Sequence, residues 1–311
     1  MAYERPPATA WAILAIALLG VSSGGPLLAS MDVPPVLRAS WRLWATSIVL
    51  LPGFVAQLRW AENEFYDLRT ISLISLSGIA LAIHFASWTW SLDHTSLAHS
   101  LLFVTSHPIV IVSAMFVIER KADLMLICGA SLGFIGAGLA LLDASDSGSV
   151  TYAGDAAAFL GAVAGAAYLA VGRILRSGFN IPLFIYAFPV TTVSAIILTA
   201  LSASVESSAS GIHAHPLGWI GSEYLFTIVA LAFGAGLFGH TGLNAALRWL
   251  PPIIISVGLL FEPILGSIIG LLVLGTIEVG LWTVLGGIMM IIGAIILTFW
   301  LESRTEQGST T

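Results

Sequence analysis

Two prolines in this sequence each follow a titratable residue inside an otherwise apolar stretch. His107-Pro108 lies within "LLFVTSHPIV", and Glu262-Pro263 lies within "SVGLLFEPIL". A carboxyl in apolar surroundings could take up a proton or bind an ammonium group, and an imidazole titrates near neutral pH. The pair could therefore carry a proton or hold a small charged solute. The alternative for each is structural: a carboxyl hydrogen-bonded to a neighbouring helix, and a neutral ring bonded to a backbone carbonyl.

Other polar residues have the spacing of a single helix face. His84 and Trp88 are four residues apart, as are His240 and Asn244, and residues so spaced are neighbours on a helix. Each pair could line a cavity or could hold helices together. Arg42, in "WRLW", could attract an anionic group or pair with a carboxylate, or its long side chain could reach the polar interface.

Aromatic residues complete the candidate site. Trp41 and Trp88 could form an aromatic wall, which would suit flat or amphipathic ligands and could hold a cation over a ring face. Tyr168 could lie beside them, or it could make an interhelical hydrogen bond. The predicted substrate-binding residues are Glu262, His107, Arg42, Trp41, His84, Trp88, Tyr168, His240 and Asn244.

The composition limits which class of protein can carry these residues. The chain has 311 residues, of which 58% are hydrophobic and only 9% are charged, whereas a soluble domain carries about 25% charged residues. Apolar runs of about 20 residues are typical of transmembrane helices. The sequence therefore predicts an all-α polytopic membrane protein. It has no basic tract for nucleic acid, and the single Cys128 excludes an internal disulfide.

Ten apolar segments are long enough to cross a bilayer, at 1.5 Å of rise per helical residue. With the amino terminus in the cytoplasm, nine of the eleven Lys and Arg residues lie on the cytoplasmic side, as the positive-inside rule requires. We expect both termini to be cytoplasmic, in a plasma or bacterial inner membrane. Arg38 and Arg42 are the exceptions, and we expect Arg38 to reach the outer interface. The ten segments are 11–30, 35–54, 71–92, 96–118, 124–142, 154–173, 182–203, 224–246, 252–274 and 278–301.

The two halves of the sequence also resemble each other. His107-Pro108 aligns with Glu262-Pro263, and "GASLGFIGAGLALL" aligns with "GGIMMIIGAIILTF". The sequence thus predicts two repeats, residues 1–148 and 149–311. Five helices is an odd number, so the second repeat would be inserted upside down. Inverted repeats with proline-interrupted helices at matching positions are typical of secondary transporters, in which those helices form the binding site at mid-membrane.

With these features, the chain resembles the EamA-type family of the drug/metabolite transporter superfamily. The matching features are Arg42 after "DVPPVLRASW", Pro108 with Glu119 eleven residues later, the glycine-rich fifth segment, and "GDAAAFLGAVAGAAYLAVGR". In the second half Pro263 and Gly286 match. The resemblance implies ten helices in two inverted repeats, and export or exchange of small metabolites such as amino acids or nucleotide-related compounds.

Three functions remain open from the sequence. The first is a secondary transporter that moves small organic metabolites, amino-acid-like or nucleotide-related and amphipathic or aromatic, by alternating access, with a proton as the candidate coupling ion and no cofactor. The second is a proton- or metal-cation transporter that uses His107 and Glu262. The third is an intramembrane hydrolase, because "GASLG" at Ser131 matches the G-x-S-x-G pattern, although that motif requires a strand-turn-helix elbow and small residues also serve helix packing. We expect a non-enzyme without a resident metal.

Overall fold

The computed structural model describes residues 6–59, 67–119, 123–140, 142, 151–206, 215–275 and 281–309. Over these residues the protein is all-helical. The α-helices of the first half are α1 Ala8–Ser22, α2 Gly24–Ala29, α3 Pro35–Leu58, α4 Leu68–His94, α5 Leu97–Val104, α6 His107–Glu119 and α7 Leu124–Ala140. Those of the second half are α8 Tyr152–Arg173, α9 Leu183–Val205, α10 Leu225–Leu231, α11 Gly242–Ala246, α12 Pro252–Leu259, α13 Glu262–Leu274 and α14 Leu281–Ser309. Two π-helices, π1 Ile174–Gly178 and π2 Ala232–Thr241, continue α8 and α10.

Among the described residues, seven helical stretches are long and apolar enough to cross a membrane. Three shorter apolar helices, His99–Ala114, Leu124–Gly136 and Val284–Leu297, accompany them. Large apolar side chains cover the outside of the bundle: Leu272 is 81% exposed and Phe226 is 83% exposed. A water-facing protein does not expose apolar surface on this scale. The chain is therefore a multi-pass helical membrane protein.

The helices pack in pairs that join the first half of the chain to the second. The closest pairs are α7 with α14, α4 with α8, and α3 with α9, and α1 packs along π2. Gly20 of α1 and Gly239 of π2 meet backbone to backbone, because a Cβ atom on Gly20 would lie 2.7 Å from the Gly239 nitrogen. The two halves thus share one interior.

The two ends of the bundle carry opposite net charge, although Asp67 and Asp123 lie at the first end and Arg38 at the second. Arginines collect where α3 ends and α8 ends, and we call this the arginine end: Arg59, Arg69, Arg173, Arg176 and Arg248. Carboxylates collect where α3 begins and α9 ends, and we call this the acidic end: Asp32, Asp93, Asp155, Glu206 and Glu223. Arg120 and Lys121, which the orientation argument also used, lie outside the described residues.

Candidate functional site

Two helices are interrupted in the same way, at the positions that the His-Pro and Glu-Pro pairs predict. The 8-residue α5 ends at Val104 and the 13-residue α6 starts at His107. The 8-residue α12 ends at Leu259 and the 13-residue α13 starts at Glu262. A proline lacks the N–H that would continue the preceding helix, so each break leaves backbone groups without their helical partners. At the first break the Ser106 N–H donates to the Phe103 carbonyl instead of to Leu102, and the Thr105 hydroxyl donates to the Leu102 carbonyl at 3.1 Å.

Most of the predicted binding residues surround one enclosed cavity between the two halves of the chain. Its volume is about 30 Å³, which is room for a water molecule or two. This conformation is therefore closed around the site. Seven of the nine predicted residues line the cavity: Arg42, His84, Trp88, His107, Tyr168, His240 and Glu262.

Arg42 is the cation of this cavity. Only 1% of the residue is exposed, and its guanidinium lies over the Phe85 ring, 4.5 Å from the ring centroid. Within the described part of the chain, its Nε and Nη1 atoms have no hydrogen-bond partner. A buried guanidinium with unused donors is a ready site for a carboxylate or phosphate. Phe85, which the sequence interpretation missed, holds the guanidinium in place; its signal was the three-residue spacing from Trp88.

Three imidazoles lie beside Arg42. The ring centroid of His84 is 6.1 Å from that of His107 and 6.0 Å from that of His240. The Nδ1 atom of His84 lies 2.8 Å from the Gly161 carbonyl. Because a carbonyl can only accept, Nδ1 carries the hydrogen and Nε2 of the neutral ring is an acceptor. The Nδ1 atoms of His107 and His240 find no partner among the described residues.

Glu262 is the carboxyl of the cavity, and 7% of the residue is exposed. Over the described residues, it makes neither a hydrogen bond nor an ion pair with Arg42, although both line the cavity. The structural alternative for Glu262, a carboxyl bonded to a neighbouring helix, therefore finds no support here. The cavity thus contains an acidic group and a basic group that are not paired with each other.

Tyr168 and Asn244 bond to one another at the edge of the cavity. The Tyr168 hydroxyl donates to Oδ1 of Asn244 at 2.8 Å. Asn244 lies beside an adjacent smaller cavity of about 10 Å³, which Arg42 and His240 also line. Arg176, which the sequence interpretation placed at the cytoplasmic surface, is buried, and its Nε donates to the Asn244 backbone carbonyl. This hydrogen bond connects the Asn244 backbone, beside the cavity, to the arginine end of the bundle.

Trp41 does not lie among the cavity-lining residues. Its indole N–H donates to the His215 carbonyl at 2.9 Å, at the acidic end. Trp41 precedes Arg42 on α3, and successive helical residues are rotated by about 100°. Because Arg42 points into the cavity, its neighbour points elsewhere.

The expectation that Arg38 reaches the outer interface is wrong. Only 2% of Arg38 is exposed, and its Nη2 lies 2.5 Å from the Asp93 carboxylate. Arg38 lies one turn before Arg42, so it shares the buried face of α3.

The sequence interpretation did not identify Glu206. Its two carboxylate oxygens accept from the backbone N–H groups of Val36 and Leu37 at 2.7 and 2.9 Å. Asp155 accepts from Thr95 and lies 3.3 Å from His99, in line with a structural role.

The residues of the two alternative functions lie as follows. Ser131 is exposed on the outside of α7, while Gly129 on the same helix packs against Leu297 of α14, as the packing interpretation of "GASLG" predicts. Within the described residues, no group of three or more His, Cys, Asp or Glu side chains could hold a metal ion. The side chain of Glu119, which the family resemblance uses, lies outside what the structure describes.

The fold and the site define a class: a multi-pass helical membrane protein with a central cavity, into whose largely apolar wall an acidic and a basic side chain are built. No protein-family model matches the sequence, and no curated protein matches it. The fold is similar to that of a solved structure described as "Crystal structure of protein", with a TM-score of 0.72 and 16% sequence identity. The match covers 94% of this chain and 98% of the other. At this identity the likeness establishes the fold.

Proposed function

We propose that this protein is a secondary transporter that moves small organic metabolites across a membrane by alternating access. The observation that carries the proposal is the closed cavity, whose wall comes from both halves of the chain and is interrupted by two matching helix breaks. Broken helices at membrane depth are tolerated where they face protein or a wet cavity, and in transporters they form the substrate site.

The helix pairing supports two inverted five-helix repeats. The three shorter apolar helices would complete ten spans with the seven longer ones. If a pseudo-two-fold axis relates span n to span n+5, spans two and seven should pair, and so should five and ten. These pairs are α3 with α9 and α7 with α14, which pack closely. The same axis relates the pair α4–α8 to the pair of π2 with α1.

The chemistry of the cavity supports a substrate with charged ends. Arg42 offers unused donors to an anionic group, and Glu262 offers a carboxyl to an ammonium group or a proton. Trp88 and Tyr168 add aromatic surface, which suits an apolar or aromatic body between the charged ends. These features favour amino-acid-like or nucleotide-related metabolites over a metal ion.

We also propose membership in the EamA-type family and an inner or plasma membrane location. The segregation of arginines to one end supports an orientation in which the arginine end, and both termini, face the cytoplasm. The exposed position of Ser131 gives the hydrolase alternative no support.

A thermal-shift screen of the purified protein against amino acids, nucleosides, nucleotides and divalent cations tests the proposal. A ligand at 100 times its dissociation constant adds about 2.7 kcal/mol. We expect an organic metabolite to stabilise the protein, and we expect Trp88→Phe to weaken that stabilisation because Trp88 lines the cavity. Trp41→Phe is the matched control, since Trp41 is equally buried but lies elsewhere. Stabilisation by divalent cations alone would contradict the proposal.

A further inference from the structure

A second cavity, larger than the central one, forms a side groove at the acidic end. Its volume is about 610 Å³, within the range of about 300–1,000 Å³ for small-molecule sites. It lies between the pair α3–α9 and the pair α4–α8. Its lining is mostly apolar and consists of Pro34, Pro35, Val36, Ala86, Ser87, Trp90, His94, Ala157, Leu201, Val205 and Glu206.

The groove is separate from the central cavity, and α4 forms the wall between them. His84 and Trp88 of α4 face the central cavity, whereas Ala86, Trp90 and His94 face the groove. From His94 to Ala86 the groove follows α4 over eight residues, or about 12 Å at 1.5 Å per residue. All of that length lies within a helix that is apolar enough to span the membrane. A molecule that enters the groove from the side comes from the bilayer.

The mouth of the groove is polar and lies where the helices end. His94 stacks on Trp90 with 3.6 Å between ring centroids, and Glu206, whose carboxylate accepts from the backbone N–H groups of Val36 and Leu37, also lines the groove. Two more carboxylates lie near the His94 end of α4: Asp93, which is adjacent to His94 and pairs with Arg38, and Asp155, which accepts from Thr95 and lies 3.3 Å from His99. Among the described residues of the acidic end, the one Lys or Arg is Arg38, which is buried and paired with Asp93. The field at the mouth therefore attracts an ammonium group and repels an anion.

The geometry points to a specific lipid site: the groove binds an acyl chain of a phospholipid whose headgroup carries an amine. The chain fills the apolar space along α4 and α8, and the ammonium lies among the carboxylates at the mouth. An anionic headgroup without an amine, such as phosphatidylglycerol, offers the same chains but meets the repulsive field.

Native mass spectrometry of the full chain, delipidated in a maltoside detergent, tests this site. Phosphatidylethanolamine and phosphatidylglycerol with identical palmitoyl-oleoyl chains are titrated separately. We expect one ethanolamine lipid to bind with a dissociation constant at least tenfold lower than that of the glycerol lipid. Equal binding of both lipids would overturn the headgroup assignment.

Variants locate the binding site. Ala157→Phe should raise the dissociation constant for phosphatidylethanolamine at least tenfold, because half-buried Ala157 lines the groove and the larger ring fills it. Ala156→Phe is the matched control: Ala156 is exposed, is not among the lining residues, and should leave binding within twofold of wild type. If Ala157→Phe fails to fold, Ala86→Leu fills the groove from α4. The proposal is overturned if a folded groove variant binds phosphatidylethanolamine as tightly as wild type does. It is also overturned if the lipid-free protein is a dimer and the groove variant is not, because a second copy of the chain would then occupy the groove.

Discussion

Arg42→Met should make this protein more stable and, under the proposed function, should abolish transport. The guanidinium is fully buried, and two of its nitrogens have no partner in the described structure. Each unsatisfied buried donor lowers the free energy of unfolding by about 1–3 kcal/mol. Removing both donors should therefore raise it by about 2–6 kcal/mol. The contact with Phe85 offsets about 2 kcal/mol of this. The net gain is therefore about 0–4 kcal/mol.

Arg38→Met is the matched control, because Arg38 lies one turn away on α3 and is equally buried. It pairs with Asp93 and donates to the carbonyls of Met31 and Thr89. Its removal should therefore destabilise the protein, by about 1–3 kcal/mol since Asp93 is partly exposed. Thermal unfolding in detergent measures the stability change of both variants. For a chain of this size, a change of about 1 kcal/mol shifts the melting temperature by about 2 °C. A lower melting temperature for Arg42→Met, or its full transport activity in proteoliposomes, would refute the reasoning.

Three further predictions follow from the described structure. Gly165→Ala should lower transport at least tenfold, because a Cβ atom there would overlap the two imidazoles across the cavity; normal flux in proteoliposomes would show that this space is not used. Cysteines at Arg59 and Glu223, in a protein whose native cysteine is replaced, should react with an impermeant maleimide from opposite sides; labelling of both from one side would contradict the proposed topology. Hydrogen bonds from the Thr70 side chain and backbone lower the pKa of Asp67, the N-cap of α4. The stabilisation from Asp67 should thus be present above the ordinary carboxyl pKa and disappear as the pH falls through the lowered value. Melting curves of wild type and Asp67→Asn across this range should differ in their pH dependence, and parallel curves would be the contrary result.

Local sequence signals identified several residues that line the central cavity. The two X-Pro steps mark the helix breaks at His107 and Glu262, because proline acts on the backbone whatever surrounds it. The four-residue spacing of His84 and Trp88 placed both on the cavity face of α4. Intramembrane polar residues are rare enough for their types alone to indicate the interior.

Contacts between distant parts of the chain could not be read in the same way. Glu206 caps the start of α3 from 170 residues away, and no local pattern announces that pairing. Trp41 was assigned to the cavity by residue type, although its position next to Arg42 already turned it away. The four-residue spacing of Arg38 and Arg42 did carry the signal that both are buried, and Asp93 near the end of α4 was the available partner.

The central claim is that one closed cavity opens alternately to the two sides of the membrane. The most direct test places a single cysteine at Leu169, a buried residue of the cavity wall, in a Cys128→Ser protein. An impermeant maleimide is then applied from each side of oriented vesicles, with Leu198→Cys, buried in the core away from the cavity, as the control. We predict labelling of Leu169→Cys from both sides, slowed by the metabolite that stabilises the protein, and no labelling of Leu198→Cys. Labelling of Leu169→Cys from one side only, or from neither, would contradict the account.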